Sequence, residues 1–253
     1  MTDIAVRQFH GRDGLPLAYR ELGDGWPLIL IHGFTSSAVP GWIESGIAAR
    51  MAGRGYRVIL PDLRGHGDSS RPHDAAAYPP DALADDGLAL VEQLGLDDYD
   101  LGGYSLGGRT VIRMLARGAT PRRAVSGGQG LDAVAHASQR GDNYRRILTS
   151  FGTFAPGSEE QALENWITAR GGDPAALVRV LDTQVDTPPE ELARVAVPTL
   201  IITGASDGHD ASAEALARAL AAGRYLQVPG SHYSAVEKPQ FEAAMAGFLA
   251  DGR

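Results

Sequence analysis

Apolar positions along the chain fall into short runs separated by longer stretches of helical periodicity. Residues 5–9 (AVRQF) and 15–21 (LPLAYRE), parted by the turn-prone Gly11-Arg12-Asp13-Gly14, predict an opening β-hairpin. Residues 27–31 (PLILI) are apolar throughout and end at His32-Gly33, the pattern of a strand covered on both faces. Similar runs at 56–60, 99–104, 123–126, 197–203 and 225–228 predict further strands. Between them, helices are expected near 42–53, 81–94, 106–117, 211–221 and 237–250. In the last, Phe241, Met245 and Phe248 recur at spacings of four and three, one stripe of a helix. Strands alternating with helices imply an α/β fold, a mostly parallel sheet with helices on both faces.

One interval breaks this rhythm. From 131 to 190 no strand pattern occurs, although a plain crossover needs only a few tens of residues. Helical patterns at 144–151, 161–169 and 175–181 alternate with breakers at Pro156-Gly157, Gly171-Gly172 and Pro188-Pro189. Phe151, Phe154, Trp166 and the leucines need burial, which argues against a disordered linker. The expectation is a core of 1–130 and 191–253, with 131–190 as a helical insertion over one end of the sheet.

Composition narrows the function classes. The chain has 253 residues and a formal net charge of −8, with 43% hydrophobic and 21% charged residues, ordinary globular usage. The acidic balance argues against nucleic acid or an anionic membrane as partner, since both require clustered Lys and Arg. No apolar run is long enough to span a bilayer, and residues 1–14 lack the basic end and apolar stretch of a secretory signal, so the cytoplasm is the expected location. There are no cysteines, which removes disulfides, thiolate metal sites and a cysteine nucleophile.

The sharpest chemical signal is Gly102-Gly103-Tyr104-Ser105-Leu106-Gly107-Gly108, a G-x-S-x-G pattern between an apolar strand and a helix. A serine in so tight a turn is held in a strained backbone conformation with Oγ clear of the sheet. Gly103 and Gly107 fall where strand and helix approach too closely for a Cβ. The helix begins directly behind the serine, so its free N–H groups favour a developing anion.

A serine hydroxyl needs a base to accept its proton. Of the seven histidines, His232 lies in a loop just beyond the last predicted strand, at the same sheet end as Ser105. His32 reads as a buried structural histidine and His66 sits in a glycine turn, while His10, His73, His136 and His209 read as solvated. The base in turn needs a carboxylate. Asp207 follows the strand over 197–203; Asp210 is the rival and better placed to cap the next helix, and Asp132 ranks behind both. The resulting chain order is Ser, Asp, His. Backbone N–H groups of Phe34 and Leu106 are the expected oxyanion donors. Phe34, Tyr104, Phe151, Trp166 and Tyr233 are candidates for an apolar substrate pocket, with core packing the competing role for the insert residues.

With these pieces in hand, the chain resembles the α/β-hydrolase superfamily over nearly its full length. The matching segments are HGF (32–34), PDLRGHGDS (61–69), GYSLG (103–107), GASD (204–207) and GSH (230–232). The resemblance implies an eight-stranded, mostly parallel sheet with a helical cap over 131–190. It also implies that Asp62, Arg64, His66 and Asp68 shape a loop near the site without taking part in the reaction. Serine at 105 disfavours haloalkane dehalogenase and epoxide hydrolase chemistry, which would place Asp there.

The expected activity is hydrolysis of a small or medium carboxylic ester by an acyl-enzyme route, with water as co-substrate and no cofactor. Lactone opening and carbon–carbon bond hydrolysis of a diketone-like compound use the same three residues, as would perhydrolysis or thioester cleavage. A non-catalytic ligand-binding member of the fold is the reading from a different class. A metal site is disfavoured because neither Asp207-Gly208-His209-Asp210 nor His66-Gly67-Asp68 has H-E-x-x-H spacing or a cysteine pair.

Overall fold

In the computed structural model, which describes residues 4–208 and 210–251, eight strands form one sheet. Strand β1 (Arg7–His10) pairs antiparallel with β2 (Pro16–Leu22), and β2 pairs antiparallel with β4 (Tyr56–Pro61). From β4 onward every pairing is parallel, through β3 (Trp26–Ile31), β5 (Asp100–Tyr104), β6 (Arg123–Gly127), β7 (Thr199–Gly204) and β8 (Gly223–Val228). The order across the sheet is β1-β2-β4-β3-β5-β6-β7-β8.

The apolar run of β3 serves both faces by simple alternation. Leu28 and Leu30 join one core with Val58, Leu60 and Phe241, while Ile29 and Ile31 join the other with Ile59, Leu101 and Val111. The first core is closed by α1 (Ile47–Ala52) and α10 (Pro239–Ala250). The second is closed by α2 (Ala82–Gln93), α3 (Leu106–Ala116) and α9 (Asp210–Ala219).

The helix expected over 42–53 is two pieces. A wide turn over Val39–Ile43 begins with Pro40 in its first turn, and Gly46 at φ 74° breaks the path before α1 starts at Ile47. No L-residue with a Cβ adopts that φ readily, so the glycine ends the first piece.

Among the described residues, 131–190 holds no strand. It contains α4 (Leu131–Ala135), α5 (Asp142–Thr149), α6 (Glu159–Ala169) and α7 (Pro174–Asp182), and α8 (Pro189–Leu192) follows at its end. Ser158 Oγ accepts from the Gln161 N–H at the start of α6, and Asp173 caps α7 through the N–H groups of Ala175 and Ala176. These helices share a small apolar cluster of Leu148, Ile167 and Leu177, against which Phe151 packs. They meet the rest of the molecule at Phe34, whose ring lies 5.1 Å from that of Tyr144, and where Trp166 Nε1 donates to Thr35 Oγ1 at 3.1 Å. No helix among the described residues is long and apolar enough to cross a membrane.

The junction of β5 with α3 is a very close approach. A Cβ on Gly103 would lie 2.4 Å from the Gly107 carbonyl oxygen, and one on Gly107 would lie 2.1 Å from the carbonyl oxygen of Ile31. Gly107→Ala improves intrinsic helix propensity yet forces α3 off β3. It is expected to cost about 1–3 kcal/mol, lowering Tm by roughly 2–12 °C. An unchanged melting curve would show that the approach is not closely packed.

Candidate active site

Strand register decides which residues can meet. Ile31 pairs with Gly103, so His32-Gly33-Phe34 and Ser105 leave the sheet at the same level; Gly204 pairs with Val228, so Asp207 and His232 leave it together. All four segments lie beyond the carboxyl ends of parallel strands, where open α/β sheets form their sites.

Ser105 sits at φ 54° and ψ −118°, a conformation that L-residues rarely hold. Its N–H donates to the Gly127 carbonyl at 2.9 Å, and its own carbonyl accepts from Arg109 N at 3.0 Å and from Gln129 Nε2 at 2.7 Å. The hydroxyl Oγ lies 3.0 Å from His232 Nε2, and His232 Nδ1 lies 3.3 Å from Asp207 Oδ2. A carboxylate only accepts, so Nδ1 carries the proton and Nε2 is free to accept from the serine. Asp207 is 2% exposed at its side chain, which keeps its charge out of water and directed at the imidazole.

The loops bearing Asp207 and His232 are tied to each other and to the strand that ends at Ser105. Ser206 N–H donates to the Gly230 carbonyl at 2.9 Å, and Ala205 N–H to Val228 at 2.8 Å. The Tyr104 hydroxyl donates to the His232 carbonyl at 2.6 Å. Tyr104 therefore lines a cavity and also anchors the His232 loop. Gln129, which the sequence reading missed, has an analogous part behind the serine; the only local hint is a lone polar residue in the glycine-rich run after β6.

On the other side of Ser105, a Cβ on Gly33 would lie 3.4 Å from the serine Cβ, so the backbone entering Phe34 runs directly beside the hydroxyl. At the start of α3, the Leu106 N–H has no intrahelical acceptor. The turn through Phe34 is held by two buried histidines. Leu63 N–H donates to His32 Nε2 at 3.0 Å, so His32 carries its proton on Nδ1, which donates to the Gly33 carbonyl at 2.8 Å. His66 places Nδ1 3.0 Å from the Arg64 carbonyl and Nε2 against the Phe34 carbonyl. Beneath them, buried Asp62 accepts from Ala38 N at 2.7 Å, Asp68 N at 3.0 Å and Arg20 Nη1 at 3.2 Å. Arg64 is locked by Asp86 and Asp13.

The family described as alpha/beta hydrolase fold matches residues 27–127, the stretch that carries the Phe34 turn and Ser105. An esterase from Rhodococcus sp. ECU1013 superposes with a TM-score of 0.74 at 26% identity, over 98% of this chain and 99% of that one. The chain belongs to the α/β-hydrolase superfamily. Among curated relatives, the non-heme chloroperoxidase CPO-A1 of Kitasatospora aureofaciens is 37% identical over 111 residues, 44% of this chain and 38% of that protein. A 2-hydroxymuconate semialdehyde hydrolase of Pseudomonas sp. (strain CF600) is 31% identical over 148 residues, 54% of this chain and 52% of that protein. This α/β hydrolase thus spans about half the length, or less, of the curated relatives it matches.

Two cavities meet at Ser105 in the α/β hydrolase. The first, about 460 Å³, is walled by Trp42, Tyr104, Trp166 and Val236; the second, about 450 Å³, by Leu106, Arg109, Gln129 and Arg140. Phe34, Tyr144, His232 and Tyr233 border both. Of the pocket candidates, Phe34, Tyr104, Trp166 and Tyr233 line a cavity. Phe151 lines neither; it packs against the Leu148–Ile167–Leu177 cluster, where its apolar ring is taken up by the helices of 131–190. Asp132 is engaged with Ser212, and His10, His73 and His136 are exposed. His209 and the side chain of Asp210 lie outside the described residues.

Burial pushes both His32 and His66 down to about 4, with His32 also opposing a charge on His66. An unfolded histidine near 6.5 binds a proton that the folded protein refuses, so this stability is complete above about pH 6.5 and declines toward pH 4. The expected result is a urea midpoint that falls from about pH 6.5 to 4, with a loss on the order of several kcal/mol. Ring proton signals of these two histidines titrating above pH 6 would contradict it.

Proposed function

We propose that this α/β hydrolase cleaves a small or medium carboxylic ester through an acyl-enzyme on Ser105. The observation that carries the proposal is the 3.0 Å approach of Ser105 Oγ to a His232 nitrogen whose ring partner faces the buried carboxylate of Asp207. In the first half-reaction, Ser105 Oγ attacks the ester carbonyl as its proton passes to His232 Nε2. The carbonyl oxygen becomes an anion facing the backbone N–H groups of Phe34 and Leu106. Collapse expels the alcohol, which takes the proton from His232. Water then gives its proton to His232 and attacks the acyl group; the proton returns to Ser105 and the acid leaves. Asp207 remains ionised throughout and stabilises the imidazolium. Segment 131–190 acts as a cap, its Tyr144 and Trp166 walling the site.

The likeness to an esterase over almost the whole chain favours ester hydrolysis. Relatives named for haloperoxidase and semialdehyde hydrolase activity match over a smaller part, so perhydrolysis and carbon–carbon cleavage at the same three residues are secondary readings; lactone opening is another, since an enol-lactonase shares the fold.

Ser105→Ala is expected to reduce turnover of p-nitrophenyl esters by about 10³-fold or more, and Asp207→Asn by a similar factor. A fluorophosphonate should label the native protein and fail on Ser105→Ala. Near-native turnover by Ser105→Ala sinks the assignment, and absence of labelling with no turnover favours a ligand-binding role. A panel of graded acyl lengths, with lactones and a ring-fission diketone, separates the readings; activity on the diketone alone selects carbon–carbon cleavage. Because the base must be neutral to take the serine proton, kcat/KM should fall on acidification. A rate that does not fall contradicts the role of His232.

A further inference from the structure

The two cavities at Ser105 differ in charge. In the first, Arg170 stacks on Trp166 and shares the wall with Glu44 and Glu237, so its charge faces acids. In the second, Arg109 and Arg140 line the wall, and the only lining acid among the described residues is Asp207, already committed to His232. Arg109 is one helical turn beyond Ser105 on α3, partly buried, with Nε enclosed and unpartnered and Nη1 donating to neutral Gln184 Oε1 at 2.9 Å. Exposed Arg140 likewise has no ion pair among the described residues.

Four other arginines sunk into this protein each meet a carboxylate. Arg20 has Asp62 at 3.2 Å, and Arg64, Arg113 and Arg122 have Asp86, Asp81 and Asp100 at 2.7 Å. A guanidinium taken out of water normally acquires such a partner, because unpaired burial is costly. Burial and the neighbouring Arg140 push Arg109 down to about 10, the signature of a cation without compensation.

We propose that the second cavity is a subsite for a carboxylate carried by the substrate, bound by the Arg109 guanidinium with Arg140 at its rim. The proposal rests on the reading of Ser105 as nucleophile. It narrows the substrate to an ester or lactone with two unlike arms. The scissile carbonyl lies at Ser105, an apolar arm enters the cavity beside Trp42 and Tyr104, and an acid arm reaches Arg109. A half-ester of a dicarboxylic acid has this form. Charge-assisted hydrogen bonds to a planar carboxylate would then supply the counter-charge that the fold omits.

The test compares mono-4-nitrophenyl glutarate with its methyl-capped neutral counterpart, and separately measures glutarate binding by calorimetry. The native protein should prefer the anionic ester by about tenfold or more in kcat/KM. Arg109→Gln should bring that ratio to about one, and Arg140→Gln, at an exposed position, should lower it by about threefold. Glutarate should bind the native protein at least tenfold more tightly than inorganic phosphate or glutaramide and lose that advantage in Arg109→Gln. If Arg109→Gln does not fold, the Arg140→Gln ratio and the glutarate-over-glutaramide preference decide. Equal turnover of the two esters with no glutarate binding overturns the subsite while leaving the hydrolase standing. Glutarate binding through Arg109 with neither ester cleaved upholds the subsite and overturns the hydrolase. Tighter binding of phosphate than of glutarate overturns the carboxylate assignment.

Discussion

The contact on which the site depends is the approach of α3 to the ends of β3 and β5. Glycines at 103 and 107 let the helix start almost touching the carbonyl of Ile31, and nothing larger fits there. The chain can turn so sharply only if Ser105 takes a positive φ, a strain of roughly 1–3 kcal/mol that surrounding bonds must hold. They do so from both sides, through Gly127 at its N–H and Gln129 at its carbonyl. Exposure of the hydroxyl and the positive end of α3 behind it follow from the same packing.

Electrostatics arranges the surroundings in layers. Asp62 and Arg64, deep under the Phe34 turn, are fully paired and fix backbone geometry. Neutral His32 and His66 form the next layer, their charged forms disfavoured by burial; His32 accepts from Leu63 N–H and donates to the Gly33 carbonyl, and His66 faces the Arg64 and Phe34 carbonyls. Ser105, His232 and Asp207 lie above them, with His232 partly open to the cavities.

The sheet and the Ser105 turn were legible because each rests on short-range pattern, and chain order then put Asp207 and His232 at the same sheet end. Strands buried on both faces read as apolar runs, and G-x-S-x-G needs only its flanking strand and helix. Other features depend on distant parts of the chain. The break at Gly46 is invisible to helical periodicity, since glycine is tolerated in a helix and forbidden nothing locally. Gln129 acts on a residue 24 positions away, and the unpaired state of Arg109 is a property of everything around it. Phe151 was misplaced because an aromatic in a helical insert satisfies its own small core as readily as a ligand pocket.

The bond from Ser206 to the Gly230 carbonyl joins two loops separated by α9 and β8. It makes the 20-odd intervening residues a closed loop whose ends are clamped. Together with the bond from Ala205 to the Val228 carbonyl, it holds the segments that bear Asp207 and His232 at one spacing, so a displacement of the β7 end carries both along as a pair.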